Sequence, residues 1–436
     1  MDAKPAAPVK ITKLLVILCA AVAAAGSIWQ AWDMFGPAKR PMLQGWDDSF
    51  YYYWLPSVVI DHDLDFSNQL AQSGTVTPAA RDEGLAQSRT ATGLIPNKYP
   101  PGWALGSLPF FLLAHIFSSA GATGFEPIYL LCVWCGQLLY AAAGIWLAIK
   151  ILTRFFPESI ASFGVLLGWL ASPLVYYQTA RLSMSHSQVF ALAMAAYWLA
   201  LQIADGDSRR RIWMLLGFCA ALLVVTRNVS VVYLAFPGLI LAKKLRSAGS
   251  ALCLGLGAAG PVAMQMIAWK ILYGSWLFYS YEGERFDFTQ WHLVDVLFSP
   301  RHGWFYWNPL MLVGVVGFSA WAWHRTNGIA WLVSLGAATA LNAAWPTWWL
   351  GSSFGHRGFE VATFFAMVGL AVLLNATVLR PFLRQLLVTM IALAITWNIL
   401  LLALYCTRRI SHEQPVTYAE VARALANWSR ESVRQD

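Results

Sequence analysis

The sequence predicts an all-α membrane protein: a polytopic transmembrane helical bundle of about 11 spans, with interfacial helices in the first external loop. Three observations carry this. Of 436 residues, 58% are hydrophobic and only 12% are charged, about half the charge of an ordinary soluble domain. Apolar runs near 20 residues recur, the length at which a helix crosses ~30 Å of hydrocarbon. Finally, loops rich in Lys and Arg alternate with loops rich in Asp, His and Trp, as expected of connections lying on opposite membrane faces.

The elements follow in order. Lys10 and Lys13 precede "LLVILCAAVAAAGS", a pattern shared with cleaved signal peptides. The apolar run continues through Trp29 and Trp32 towards Phe35, so a retained first span over 14–35 is expected. Further spans are expected at 127–149, 160–178, 188–204, 212–226, 229–242, 250–273, 303–322, 326–344, 358–378 and 385–404. Two of them, within 212–242, are short and meet at Arg227-Asn228. The segment 100–120, "PPGWALGSLPFFLLAHIFSSA", is apolar enough to cross but opens with Pro100-Pro101. Laid flat, it leaves Lys150/Arg154, Arg209-Arg210-Arg211, Lys243-Lys244/Arg246, His324-Arg325 and Arg380/Arg384 all on the cytoplasmic side. Were it to cross, all would move outside, against the positive-inside rule. Eleven crossings therefore form one membrane domain over 1–404, with an external loop at 36–126 and a short external tail at 405–436. There are no internal repeats and no separate soluble domain.

Several function classes fall away. The net charge of +8 comes from basic residues in short loops, where membrane anchoring accounts for them, so no nucleic-acid partner is expected. Cys132 and Cys135 form a CxxC inside an apolar helix with no second ligand pair, and no disulfide framework is implied. No Walker loop or Rossmann fingerprint is present. Asp205-Gly-Asp207 has the form of a DxD motif but sits beside three Arg in a cytoplasmic turn and reads as solvated.

The candidate chemistry lies in the external loops. Asp47 and Asp48 begin "WDDSFYYYW" just after the first span. A carboxylate near bilayer depth is costly unless used or paired, which makes this pair a candidate general base. The competing reading is a pair of helix-capping and first-turn acids. Arg301-His302 and His356-Arg357 sit in later external loops, and Arg227 lies near a helix end. A guanidinium fork matches phosphate oxygens, whereas a single such Arg more often snorkels at the interface. His186, in "RLSMSHSQ", is a ligand candidate or a structural hydrogen-bonder. Glu284 is a further candidate, or pairs with Arg285. Asp61, Asp63 and Asp65 alternate in "DHDLDF", as a divalent-metal site or, more simply, a solvated rim. No cofactor is assigned, no residue is assigned to a metal, and metal dependence stays open.

Taken together, "WDDSFYYYW…DHDLDF", "NKYPPGWALGSLPFFLLAH", "SHSQVF", "LFSPRHGWFYWNPLM" and "WWLGSSFGHRGFE" resemble successive blocks of bacterial membrane glycosyltransferases of the GT-C superfamily. The resemblance spans about 40 to 375. It implies an inner-membrane enzyme that uses a polyprenyl-phosphate sugar on the periplasmic side. The acid pair Asp47-Asp48 would supply the base, with Asp47 favoured because the first acid of such pairs fills that role. The segments 50–60 and 100–118 would be interfacial helices. Arg357, with His356 and Arg301, would bind the donor phosphate. Tyr99, His186, Arg227, Glu284 and His302 are candidate substrate-binding residues. The resemblance leads one to expect no counterpart of the large C-terminal periplasmic domain many such enzymes carry, and the short form is similar to pilin-modifying and arabinofuranosyl-transferring members.

The residues' own chemistry agrees. An outward-facing site has no supply of nucleotide sugars, and a lipid phosphate is a stable leaving group that needs positive charge rather than a general acid. One base and one cationic clamp predict inversion at the anomeric carbon. The sugar (a pentose such as arabinofuranose, or a hexose) and the acceptor (a pilin-like protein, a lipid glycan or an O-antigen) are not written in these motifs. Two rivals remain at this stage: a solute transporter or lipid flippase, and a non-catalytic GT-C-like partner among membrane lipids and larger assemblies.

Overall fold

The structure is a computed structural model that describes residues 8–36, 43, 45–72, 77–281 and 283–428. Among them every regular element is helical and there is no strand. Five helices are long and apolar enough to cross a membrane: Leu14–Phe35, Pro127–Leu152, His186–Ala204, Ala248–Tyr273 and Pro381–Cys406. Shorter apolar helices accompany them at Gly102–Ile116, Glu158–Leu170, Asn228–Leu241, Pro309–Trp323, Gly328–Ala343 and Thr363–Ala376. The chain is a multi-pass membrane protein.

Several expected spans are interrupted, each for a local reason. The stretch expected as a span at 229–242 is a 3-10 helix, Asn228–Leu234, followed by a short α-helix, Ala235–Leu241. Arg227 ends the preceding helix Arg210–Thr226 with extended backbone (φ −154, ψ 108). The β-branched pair Val231-Val232 then loses side-chain freedom in a helix, which weakens any α-helical restart. The expected span at 160–178 is Glu158–Leu170, a turn, and the single turn Leu174–Tyr177. The span at 303–322 divides into Trp304–Trp307 and Pro309–Trp323, with Pro309 in the first turn of the second helix, where its missing N–H costs no intrahelical bond.

The chain forms two compact units. One comprises Met1–Gly26, Ile145–Ala180 and Arg285–Asp436. In it, Thr363–Ala376 packs against Pro309–Trp323 and Glu158–Leu170. Gly369 permits the first crossing: a Cβ there would lie 1.7 Å from the Gly314 carbonyl oxygen. Small residues at such crossings let helix backbones meet where water supplies no driving force. The broken backbone at 170–172 is satisfied by Asn398, which also holds the Asn308 side chain. Its Nδ2 donates to the carbonyls of Leu170 (2.8 Å) and Ser172 (3.0 Å), and its Oδ1 accepts from Asn308 Nδ2 at 2.8 Å. Irregular backbone at membrane depth persists only where protein groups satisfy it in this way. The tail carries a helix, Tyr418–Ala426, started by a Thr417–Glu420 capping box. Residues 429–436 of the expected tail lie outside the described residues.

The second unit comprises Ser27–Gly144 and Arg181–Glu284. Its core is the aromatic helix Trp46–Pro56, which stands where an interfacial helix was expected. Phe50, Tyr51, Tyr52, Tyr53 and Trp54 are all buried, so the helix is enclosed on every side. Trp103, Phe111 and Phe125 surround it, and Tyr52 donates its hydroxyl to the Gly124 carbonyl at 2.6 Å. Gly102 opens the helix Gly102–Ile116 against the end of Arg210–Thr226, where a Cβ would lie 2.3 Å from Val225 backbone atoms. Gln188 ties this crossing by donating Nε2 to Gly102 O and Thr226 Oγ1, both at 2.9 Å.

Candidate active site

The first-loop acids sit in the first turn of the aromatic helix, where the helix dipole favours negative charge. Gly45, not an acid, occupies the N-cap, and no side chain caps the helix. Neighbouring residues on a helix point about 100° apart, and the two acids accordingly meet different surroundings. Asp48 is 1% exposed; its Oδ2 lies 3.1 Å from Arg181 Nη2 and accepts from Ser183 Oγ at 3.1 Å. Asp47 is half-buried, and its Oδ1 accepts from the Tyr99 hydroxyl at 2.5 Å.

Tyr99 is placed by the backbone around it. Asn97, 2% exposed, accepts the Tyr99 N–H with Oδ1 at 3.0 Å and donates Nδ2 to Phe50 O at 3.0 Å. Trp54 Nε1 donates to Tyr99 O at 3.2 Å, and Tyr273 OH donates to Asn97 O at 3.0 Å. The loop Asn97–Tyr99 is thus fastened to the same helix that carries Asp47, which fixes donor and acceptor in one frame. Burial, and then the Asp47 carboxylate, push the Tyr99 phenol well above its ordinary range, so it stays a neutral hydrogen-bond donor.

Tyr281 completes this side of the unit. Burial raises its phenol, the Tyr51 phenol and the Asp47 and Glu284 carboxylates add to the rise, and the Arg227 guanidinium opposes it. Arg227 Nη1 lies 3.5 Å from His186 Nδ1, at the outer limit of a hydrogen bond, and His186 is the buried first residue of His186–Ala204. Glu284 forms an ion pair with Lys98, not with Arg285 as the sequence alternative had it. The Lys98 ammonium lies over the rings of Tyr99 (5.6 Å) and Tyr281 (5.4 Å). Three carboxylates, two neutral phenols, a guanidinium and an imidazole therefore belong to one unit, and Asp47, Asp48, Tyr99, His186, Arg227 and Glu284 are brought together there.

Arg301, His302, His356 and Arg357 belong to the other unit. The Arg301 guanidinium stacks on Trp349 at 3.9 Å and donates Nε to Glu413 O at 2.6 Å. It is thereby tied to the C-terminal tail, whose Val416 N–H also donates to Pro300 O at 3.1 Å. His302 is fully buried, with Nδ1 2.9 Å from Trp349 O. Burial pushes its imidazole down to about 4, so it is neutral near pH 7 and no phosphate-binding cation. His356 is buried against Phe359 at 4.8 Å between ring centres, and Arg357, half-buried, opens the 3-10 turn Arg357–Phe359.

The alternating acids of "DHDLDF" are engaged locally. Asp63 Oδ1 accepts from Ser57 Oγ (3.1 Å) and from Asp65 N (3.1 Å); Asp65 Oδ1 accepts from Ser67 N (3.1 Å) and Ser67 Oγ (2.5 Å). Asp61 accepts from Gln69 Nε2. These bonds close turns, and among the described residues no three His, Cys, Asp or Glu gather as a metal site. Sequence reasoning missed Arg181, Ser183, Asn97, Lys98 and Tyr281. A signal for Arg181 was present: a buried acid needs a countercharge, and "RLSMSHSQ" supplies an arginine in a stretch with no other Lys or Arg.

No family model matches the chain, and no curated protein does. Among solved structures it is similar to the crystal structure of ArnT from Cupriavidus metallidurans in the apo state. The two share 16% identity with a TM-score of 0.51, over 94% of this chain and 68% of that one. The chain shares the fold of that structure. At this identity the likeness carries the architecture alone: a helical membrane scaffold.

Proposed function

We propose that the chain is an inverting membrane glycosyltransferase that moves a sugar from a polyprenyl-phosphate donor to an acceptor hydroxyl. The observation that carries this reading is Asp47 on a GT-C fold, half-buried in the first loop and aligned by the Tyr99 hydroxyl at 2.5 Å. Asp47 accepts the acceptor's hydroxyl proton as the new oxygen–anomeric carbon bond forms. The anomeric carbon–oxygen bond to the phosphate breaks on the opposite face, and polyprenyl phosphate leaves with the electron pair. General-base catalysis of this kind contributes about 10²- to 10⁴-fold. The departing phosphate gathers charge, which guanidinium groups stabilise without reorganising. Arg357 is the donor-phosphate ligand carried over from the resemblance, with Arg227 a second cation on the unit that holds Asp47. Arg301 is the weaker member of that set, because it is already committed to Trp349 and the Glu413 carbonyl.

The topological part of the reading is an eleven-crossing chain in a bacterial inner membrane, its site facing the periplasm. The acceptor is a periplasmic protein or cell-envelope glycan, and the sugar is a pentose or a hexose. The test is donor turnover in proteoliposomes with synthetic polyprenyl-phosphate pentoses and hexoses and a soluble hydroxyl acceptor. The reading predicts stoichiometric release of polyprenyl phosphate and a product of inverted anomeric configuration. Movement of solute or lipid across the bilayer with the donor intact would overturn it.

A further inference from the structure

Two adjacent carboxylates present a chemical problem. A lone base must be held in one orientation, and its neighbour must not compete for the same proton. The structure resolves this through the segment Arg181–Ser185, which precedes the helix His186–Ala204. Arg181 Nη2 lies 3.1 Å from Asp48 Oδ2, and Ser183 Oγ donates to the same oxygen at 3.1 Å. The segment is itself pinned: Leu182 N–H donates to Oε1 of the buried Gln30 at 3.1 Å. Gly45 leaves the room this pairing needs, since a Cβ there would lie 3.3 Å from Arg181 Nη2 and 3.4 Å from Asp48 Oδ1. Ser49 Oγ donates to Gly45 O at 2.6 Å, closing the same first turn.

We infer that Arg181 is a positioning residue for the transfer reaction: by binding Asp48 it fixes the rotation of the aromatic helix's first turn and so aims Asp47 at the acceptor hydroxyl. The inference rests on the reading of Asp47 as the base. Arg181 acts through Asp48 and touches neither donor nor acceptor. Asp48 is the anchor of the pair and Asp47 its reactive member, a division that the residue types alone left open. A misplacement of about 1 Å at a reacting group costs about 100-fold in rate, and that is the order of effect expected when the anchor is lost.

The test is a double-mutant cycle on the full-length protein in proteoliposomes, with polyprenyl-phosphate sugar turnover as the readout. Arg181→Met is expected to lower kcat about 10- to 100-fold with the donor KM unchanged. Arg181→Lys keeps the charge and is expected to recover most of the loss. Arg181→Met/Asp48→Asn removes both charges of this pair together and keeps the measurement possible where the single variant fails to fold. Its loss is expected to be no greater than that of either single variant, because the two residues act as one device. Multiplicative losses, or a raised donor KM with kcat intact, would overturn the inference; the latter would make Arg181 a phosphate ligand. Asp47→Asn, run alongside, separates the two claims. A dead Asp47→Asn with independent effects at 181 and 48 overturns the positioning role alone, and a fully active Asp47→Asn overturns both.

Discussion

Asn97→Ala is expected to weaken the fold and the site together, because one buried side chain serves both. Asn97 makes two buried hydrogen bonds, Nδ2 to Phe50 O and Oδ1 from Tyr99 N–H, each 3.0 Å long. Alanine deletes both and leaves the Tyr99 N–H without its acceptor. Each lost bond is worth about 1 kcal/mol net, and an orphaned buried donor costs about 1–3 kcal/mol more. The expected destabilisation is about 3–5 kcal/mol, read by denaturant titration in detergent micelles. Tyr99 then loses one of the bonds that hold its hydroxyl on Asp47, so kcat is expected to fall by about tenfold even where the protein remains folded. Asn97→Asp, which keeps the acceptor for Tyr99 N–H, retains more activity than Asn97→Ala. Unchanged stability, or equal activity in the two variants, would refute the clamp.

Three further outcomes follow from the geometry. Burial depresses the His302 imidazole from 6.5 to about 4, so between those values the unfolded chain binds a proton the folded chain refuses. Stability then falls as pH drops from 6.5 towards 4, by at most about 3 kcal/mol from this group, and unfolding titrations of His302→Gln show a shallower slope over that window. Asn398→Leu removes three hydrogen bonds, two to the broken backbone at 170–172 and one to the Asn308 side chain; at about 0.6 kcal/mol each and up to ~1.7, it lowers unfolding free energy by about 2–5 kcal/mol, and an unaltered unfolding curve would contradict that role. Glu284→Gln changes stability by no more than about 0.5 kcal/mol in the same assay, because both partners of the Lys98–Glu284 pair are more than a third exposed (37% and 38%).

The sequence made the membrane architecture legible because hydrophobic length is a property of composition, and long runs such as 127–149 and 385–404 became helices with little adjustment. The breaks were harder to read. Residues 229–242 are as apolar as a true span, and what interrupts them is an extended Arg227 together with a tertiary tie through Gln188 and Thr226. Neither leaves a mark on hydropathy. The acid pair was conspicuous against a chain with only 22 Asp and Glu, yet the difference between its members lies in partners distant in sequence. Arg181 follows Asp48 by more than a hundred residues and Tyr99 follows Asp47 by about fifty, so only the folded chain separates an anchored carboxylate from a half-buried one. Arg301 shows the converse: its sequence setting resembled a phosphate site, while its guanidinium is occupied by Trp349 and the tail.

The most direct measurement is turnover of a synthetic polyprenyl-phosphate sugar by Asp47→Asn beside the wild-type protein, in the same proteoliposomes at matched folded fraction. Loss of about 10²- to 10⁴-fold in kcat with donor binding retained is the predicted result. Wild-type turnover by the asparagine variant would contradict the account.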